Sequence, residues 1–240
     1  MRCLLVSLLA LTASLSAADS PDLARLRARM AEKRPVTWLF TGDSITHGAL
    51  HTKGWRCFTE IFAERVRFEM NRRSDIVINT GISGDTTAGI IAALDWRLSR
   101  FQPDVTFIMF GMNDSVVGPD LATYEANLRK LVVEARKNSG IPVLMRVNPC
   151  IPGSAQEKRH AKLEAYMDAV AKIAADEKLI LVDHWADWRK NPKSIAAMMN
   201  DEVHPNGRGH QEMAIRILQT VGLSDPRSFT GRLSAPTQSK

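Results

Sequence analysis

Five short apolar runs, at 36–40, 75–79, 104–110, 142–147 and 179–182, alternate with longer stretches of helical spacing. This alternation limits the fold more than any other feature of the chain. The helical stretches are 54–70, 87–101, 121–138, 156–176 and 207–221. Between Tyr124 and Arg136, Leu128, Leu131 and Val132 fall on one face, and Gly140 and Pro142 punctuate the end. Such alternation predicts a parallel sheet with helices on both faces. The runs are near-continuous rather than alternating in polarity, as strands covered on both faces must be. A further amphipathic stretch, 22–33, carries Leu23, Leu26 and Met30 on one side and ends at Pro35.

Open α/β sheets bind ligands beyond the carboxyl ends of their strands. The residues that follow the apolar runs are therefore the candidates for chemistry. Phe40-Thr41-Gly42-Asp43-Ser44-Ile45-Thr46 puts Ser44 just past the first run. Gly81-Ile82-Ser83-Gly84-Asp85-Thr86 follows the second run, and Gly111-Met112-Asn113-Asp114 follows the third. Asp201-Glu202-Val203-His204-Pro205 precedes the last helical stretch.

A serine hydroxyl is a poor nucleophile without an adjacent base. Among the six histidines, His160 and His210 sit in helical patterns and read as packing or surface residues. His47 and His51 lie in the loop after Ser44 and are expected to line or cover the site. Gly48 lies between them and no matching carboxylate accompanies them, so no metal and no cofactor is expected. His184, after Asp183 at the end of the last run, is the serious rival for the base. His204 is preferred because Asp201, three residues back, can reach Nδ1 and leave Nε2 for the serine. Activity is then expected to rise through roughly pH 6–7, where histidine titrates. Glu202 is expected to face solvent. An oxyanion hole needs donors aimed at developing charge. The candidates are the Ser44 N–H, the Gly84 N–H and the Asn113 side-chain amide, which donates without carrying charge. Gly84 also fits an ordinary turn, and Asn113 an Asx-turn. Asp43 is expected to fix the turn rather than act as base, and Asp114 to be a cap or brace.

Taken in order, these four segments resemble the SGNH, or GDSL, hydrolase superfamily of esterases, over roughly residues 36–220. The resemblance implies a three-layer α/β/α sandwich, flavodoxin-like, with a five-stranded parallel sheet in the order 2-1-3-4-5. It implies a catalytic triad of Ser44, Asp201 and His204, and the same three oxyanion-hole groups at Ser44, Gly84 and Asn113. It also implies that Asp43 is not the triad acid. The usual α/β-hydrolase signal G-x-S-x-G is missing, because residues 81–85 read G-I-S-G-D.

The function expected on these grounds is serine-dependent hydrolysis of carboxylic esters. Pocket walls are expected from 47–55, 115–119, 148–155 and 184–200, with Trp55, Trp185 and Trp188 available to stack on a sugar. No long apolar lid is evident, which favours a short acyl group, such as acetyl, on a carbohydrate or other polar alcohol. Lysophospholipid or thioester cleavage on longer acyl chains is the alternative. A flavodoxin-like binding protein using Gly81–Thr87 as an anion loop, or a catalytically silent carbohydrate-binding relative, would also fit the alternation of strands and helices.

The ends of the chain read differently from its middle. Arg2, the apolar segment Cys3–Leu15 and Ser16-Ala17-Ala18 read as a signal peptide cleaved after residue 18. The apolar segment is shorter than the ~20 residues a spanning helix needs. Export to the periplasm or the exterior is expected, without stable membrane insertion. The expected division is 1–18 signal, 19–34 helical extension, 35–223 hydrolase domain and 224–240 mobile tail. Net charge is +6, spread over helices as in Glu64-Arg65-Val66-Arg67, and reads as a solvated basic surface. No aromatic-interleaved basic stripe suggests nucleic acid. An exported compartment permits a bridge between Cys57 and Cys150, but buried or free thiols are preferred.

Overall fold

A five-stranded parallel sheet forms the middle layer of the protein, in the order β2-β1-β3-β4-β5. The computed structural model describes residues 20–48 and 50–231. The strands are β1 Thr37–Gly42, β2 Ile76–Asn79, β3 Val105–Met109, β4 Ile141–Arg146 and β5 Ile180–Asp183. The helices are α1 Pro21–Ala31, α2 Ser44–His47, α3 Phe58–Glu64, α4 Thr87–Ala92, α5 Leu94–Arg97, α6 Asp114–Val117, α7 Leu121–Ala135, α8 Ala155–Arg159, α9 Leu163–Asp176, α10 His184–Arg189 and α11 Gly207–Thr220. Helices α3 and α11 pack as one pair and α7 and α9 as another, giving a three-layer α/β/α sandwich.

The sheet is pinned at its centre by aromatic side chains. Phe40 of β1 lies directly opposite Phe107 of β3 in the parallel register, and the two rings stack at 4.3 Å. Phe62 of α3 meets Phe40 edge-on at 5.1 Å and Trp38 at 5.2 Å. All four rings are buried. Offset and edge-on pairs of this kind add to the gain from burying apolar area. β1 thus has a neighbour on each side and a fixed register, and its carboxyl end is a rigid platform.

Local structure departs from the expected elements where the backbone resists continuous helix. The stretch 54–70 becomes helical only at Phe58, because Gly54 adopts a left-handed conformation with φ +84°. It then widens into a five-residue turn at Arg65–Glu69, closed by the Met70 N–H to the Arg65 carbonyl at 2.9 Å. The stretch 87–101 breaks at Ala93, and 156–176 breaks at His160–Lys162. Short helices α2, α6 and α10 follow β1, β3 and β5, where turns or less regular structure were expected. β2 is an edge strand with Ile76 exposed, so it is not covered on both faces as the other runs are.

The residues called a signal peptide, 1–18, lie outside the described residues. The described part of the expected mobile tail is instead anchored. Glu69 accepts from the Thr230 N–H at 2.8 Å and from the Ser228 hydroxyl, and both residues are buried. Burial pulls the Glu69 carboxyl up, but these hydroxyl and amide donors and Arg65 outweigh it and hold it low. Arg65 is buried and donates to the Leu223 carbonyl at 3.1 Å, so it is not part of a solvated basic surface. No helix among the described residues is long and apolar enough to cross a membrane.

Candidate active site

Ser44 is the first residue of α2, immediately beyond β1. The tight passage from strand to helix rests on two neighbours. A Cβ on Gly42 would lie 2.5 Å from the Met109 carbonyl oxygen, so only glycine lets β1 approach β3 this closely. Asp43 is fully buried and its carboxylate accepts the Ile45 N–H at 2.9 Å, capping α2. Burial pushes the Asp43 carboxyl up to about 7.

Ser44 Oγ lies 2.9 Å from His204 Nε2. His204 Nδ1 lies 2.9 Å and 3.1 Å from the two Asp201 carboxylate oxygens. A carboxylate only accepts, so Nδ1 carries the proton and Nε2 presents its lone pair to the serine hydroxyl. Asp201 Oδ1 also accepts the Val203 and His204 backbone N–H groups, each at 2.8 Å. Burial pulls the Asp201 carboxyl up, yet these donors and the imidazole outweigh it and hold it below the usual carboxylate range. Burial, with His51 and His160 nearby, lowers His204 against the raising effect of Asp201, which favours the neutral ring.

The loop holding these residues closes on itself. Asn200 N–H donates to the His204 carbonyl at 2.8 Å, and Met199 bridges Pro205. Asn206 caps α11 through the Arg208 and Gly209 N–H groups while its amide donates to the Ala197 and Met199 carbonyls. From outside, Asn148 donates to the Val203 carbonyl at 3.0 Å. Glu202 does not simply face solvent, because its carboxylate accepts the Gln156 N–H at 3.0 Å.

The opposite wall comes from the loops after β2 and β3. Gly84 has φ +80°, and an added Cβ would meet nothing, so glycine serves the conformation there rather than the space. Asn113 donates to the Asp85 carbonyl at 3.0 Å, using one of its two amide hydrogens, and it lines the cleft with Ser44. Asp114 braces the two loops, accepting the Thr87 N–H at 2.8 Å, the Thr87 hydroxyl at 2.7 Å and the Gly111 N–H at 3.1 Å. Burial raises its carboxyl despite those donors.

Arg97 was not singled out from the sequence. Its guanidinium is buried and pairs with Asp85, donates to the Thr80 carbonyl at 2.8 Å and reaches the Gly42 carbonyl at 3.4 Å. One side chain thus ties together the ends of β1 and β2 and the Gly84 loop. An arginine at the end of an amphipathic stretch offers no sequence signal for such a role.

Ser44 opens into a cleft of about 550 Å³ lined also by Met112, Asn113, Val116, Val117, Arg159 and His160. The expected tryptophans do not line it. Trp185 and Trp188 belong to the core, and Trp55 packs against Gly207. The positions of Trp185 and Trp188 follow from α10, whose apolar side turns inward. His160 lines the cleft and donates Nδ1–H to the Gln156 carbonyl at 2.7 Å. His184 is fully buried, and burial lowers it to about 3, which removes it as a rival base. His210 is likewise buried and lowered to about 3, packed on Phe58. His47 meets the Ser83 hydroxyl at 3.1 Å. Cys57 and Cys150 are buried and unbridged.

The model of the GDSL-like lipase/acylhydrolase family matches residues 40–212. An acetylxylan esterase of Geobacillus stearothermophilus is 31% identical over 215 residues, which is 79% of this chain and 95% of that protein. An arylesterase of Vibrio mimicus is 30% identical over 145 residues, 60% of this chain and 69% of that protein. A solved structure of the Geobacillus stearothermophilus acetylxylan esterase superposes with a TM-score of 0.68 at 27% identity, covering 82% of this chain and all of that one. It is described as a catalytic mutant, with an aspartate changed to alanine, and a second one with a serine changed to alanine is described likewise.

Proposed function

The chain belongs to the GDSL-like lipase/acylhydrolase family and is an esterase of that family, and from that premise we propose that Ser44 is its nucleophile, His204 its base and Asp201 the carboxylate that orients the base. The single observation that carries this reading is the unbroken hydrogen-bonded chain from Ser44 Oγ through His204 to Asp201, at 2.9 Å on each side of the imidazole.

The chemistry follows from that chain. Ser44 Oγ attacks the ester carbonyl carbon while its proton passes to His204 Nε2. The carbonyl oxygen becomes an anion. It is received by the backbone N–H groups of Ser44 and Gly84 and by the second amide hydrogen of Asn113. Asp201, held ionised, favours the imidazolium that forms. Collapse of the tetrahedral intermediate expels the alcohol, which takes the proton from Nε2. Water then attacks the acyl-serine with His204 again as base, releasing the acid and restoring the hydroxyl. His204 must be neutral to begin. Its lowered proton affinity therefore moves the acid limb of activity to lower pH than an unperturbed histidine would give.

The substrate of this reading is a short acyl ester, acetyl above all, of a carbohydrate or other polar alcohol. The likeness to an acetylxylan esterase supports it. So do the polar groups of the cleft, where Gln156, Arg159, His160 and Glu202 stand among the apolar Met112, Val116, Val117 and Val203. The sugar contact would fall to these polar groups and not to the tryptophans first considered. Export to the periplasm or exterior is part of the reading, resting on Arg2 and the apolar segment after it.

The test is kcat/KM on chromogenic esters from acetyl to dodecanoyl, for the wild type and Ser44→Ala. Acetyl should be cleaved fastest, and Ser44→Ala should lose most turnover. Each methylene buried in an apolar groove would gain about 0.8 kcal/mol. A steady climb toward long chains would instead point to lysophospholipid or thioester substrates.

A further inference from the structure

His51 covers the base. Its ring lies parallel to His204, 1° between planes and 3.5 Å between centroids. Its Nδ1 lies 3.2 Å from Asp201 Oδ2, the oxygen that also receives His204 Nδ1 at 2.9 Å. One carboxylate oxygen thus lies close to a nitrogen of each stacked imidazole and bonds to that of His204. The His51 loop is held by the Lys53 N–H to the Leu50 carbonyl at 3.1 Å and the Trp55 N–H to the Thr52 carbonyl at 3.0 Å. It is a different segment from the one that carries Asp201 and His204, so the stack joins two independent loops over the base.

The donor atoms of His51, Asp201 and His204 all lie within 4.8 Å of one another, a spacing that could hold a metal ion. The stack argues otherwise. Imidazole lone pairs lie in the ring plane, and one ion cannot lie in the planes of two rings stacked at 3.5 Å.

We propose that His51 is a positioning residue for the reaction, holding the ring plane of His204 through the stack that sets it beside the Asp201 carboxylate. This rests on the reading of Ser44, His204 and Asp201 given above. The 3.2 Å contact of Nδ1 with Asp201 is a close approach across the stack and not an aligned hydrogen bond, because a ring N–H points in the ring plane. The His51 ring lays an aromatic face on the imidazolium that His204 becomes, which favours that charge. The Asp201 side chain is exposed, and His51 is in contact with it. The other charged and titratable groups facing the pair are few. They are His210 from α11, held neutral by burial, and Arg159, His160 and Glu202 around the cleft.

Three variants separate the roles. His51→Phe keeps a ring but loses the donor and the charge. His51→Gln keeps a donor but loses the ring, and His51→Ala loses both. Each is assayed on the acetyl ester from pH 5 to 9 beside Ser44→Ala, with melting temperatures recorded. His51→Ala should lower kcat about 10-fold at pH 8 through looser orientation of the base, with KM and melting temperature little changed. His51→Phe should recover part of that loss at pH 8. Retained turnover in Ser44→Ala sinks the serine reading and this proposal with it. A dead Ser44→Ala together with wild-type kcat in His51→Ala sinks this proposal alone.

Discussion

Ser44 and Asn113 stand on a buried lattice whose members come from distant parts of the chain, whereas Asp201 and His204 occupy a loop that satisfies most of its own polar groups. On the first side, Gly42, Thr80, Asp85 and Arg97 join two strands and a loop, and Asp114 ties Thr87 to Gly111. On the second, Asp201 meets residues two and three positions away, and Asn206 caps the next helix while holding the turn before it. One half of the site is therefore a product of the whole fold and the other of a few neighbouring residues. The first should fail together with stability. The second should bend without the protein unfolding.

The largest effect should come from Arg97→Met. It leaves Asp85 with an uncompensated charge and frees the Thr80 carbonyl, and losing one partner of a buried pair costs about 3–5 kcal/mol. Urea denaturation should show that loss, with activity falling alongside it. Wild-type stability in Arg97→Met would break the comparison, because the lattice would then not depend on its most connected member.

Asn206→Ala tests the other half. Loss of a helix cap costs about 0.5–2 kcal/mol, and the amide contacts to Ala197 and Met199 go with it. The same denaturation series should show a smaller stability loss than Arg97→Met and a larger fall in kcat per unit of stability lost. If the two variants lose stability equally, the histidine loop is not the self-contained piece described.

A third variant sharpens the contrast by pH. Asp43 keeps its proton in the folded protein up to about 7, against an ordinary value of 3.8. A carboxyl raised on folding lends stability that is fully present below its unfolded value. That stability is lost as pH rises through the folded one. Asparagine keeps an acceptor for the Ile45 N–H and carries no proton to lose. The melting temperature of Asp43→Asn should therefore gain on the wild type between pH 4 and pH 8. An unchanged difference across that range would show that Asp43 does not strain the lattice.

The same contrast governs what could be read from the sequence. The strands were legible because each is a compact apolar run bounded by turn residues. The Asp201–His204 contact was legible because three residues of one turn bring a carboxylate to Nδ1. Arg97 was not, since a charged residue among helical spacings carries no mark of burial. His51 was placed near the site but not against Asp201, because its stacking depends on how two loops meet. Trp185 and Trp188 misled because their distance along the chain from Asp183 suggested the cleft, while α10 turns both rings into the core. The breaks at Ala93 and at His160–Lys162 interrupt stretches whose apolar spacing continues across them, so periodicity alone reads them as single helices.

The five-residue turn at Arg65–Glu69 has a consequence best put as chain length rather than contact. A turn of this kind holds one residue more than an α-helical turn, and every side chain after that point is rotated by about 100° relative to an uninterrupted helix. Glu69 stands at the end of the turn and receives Ser228 and Thr230 from the far terminus. Deleting a single residue there would restore a regular helix and swing the carboxylate away from its partners. The spacing of this segment is therefore part of how the terminus is fastened, and a change in length at this point has a cost that a change of residue elsewhere in the helix does not.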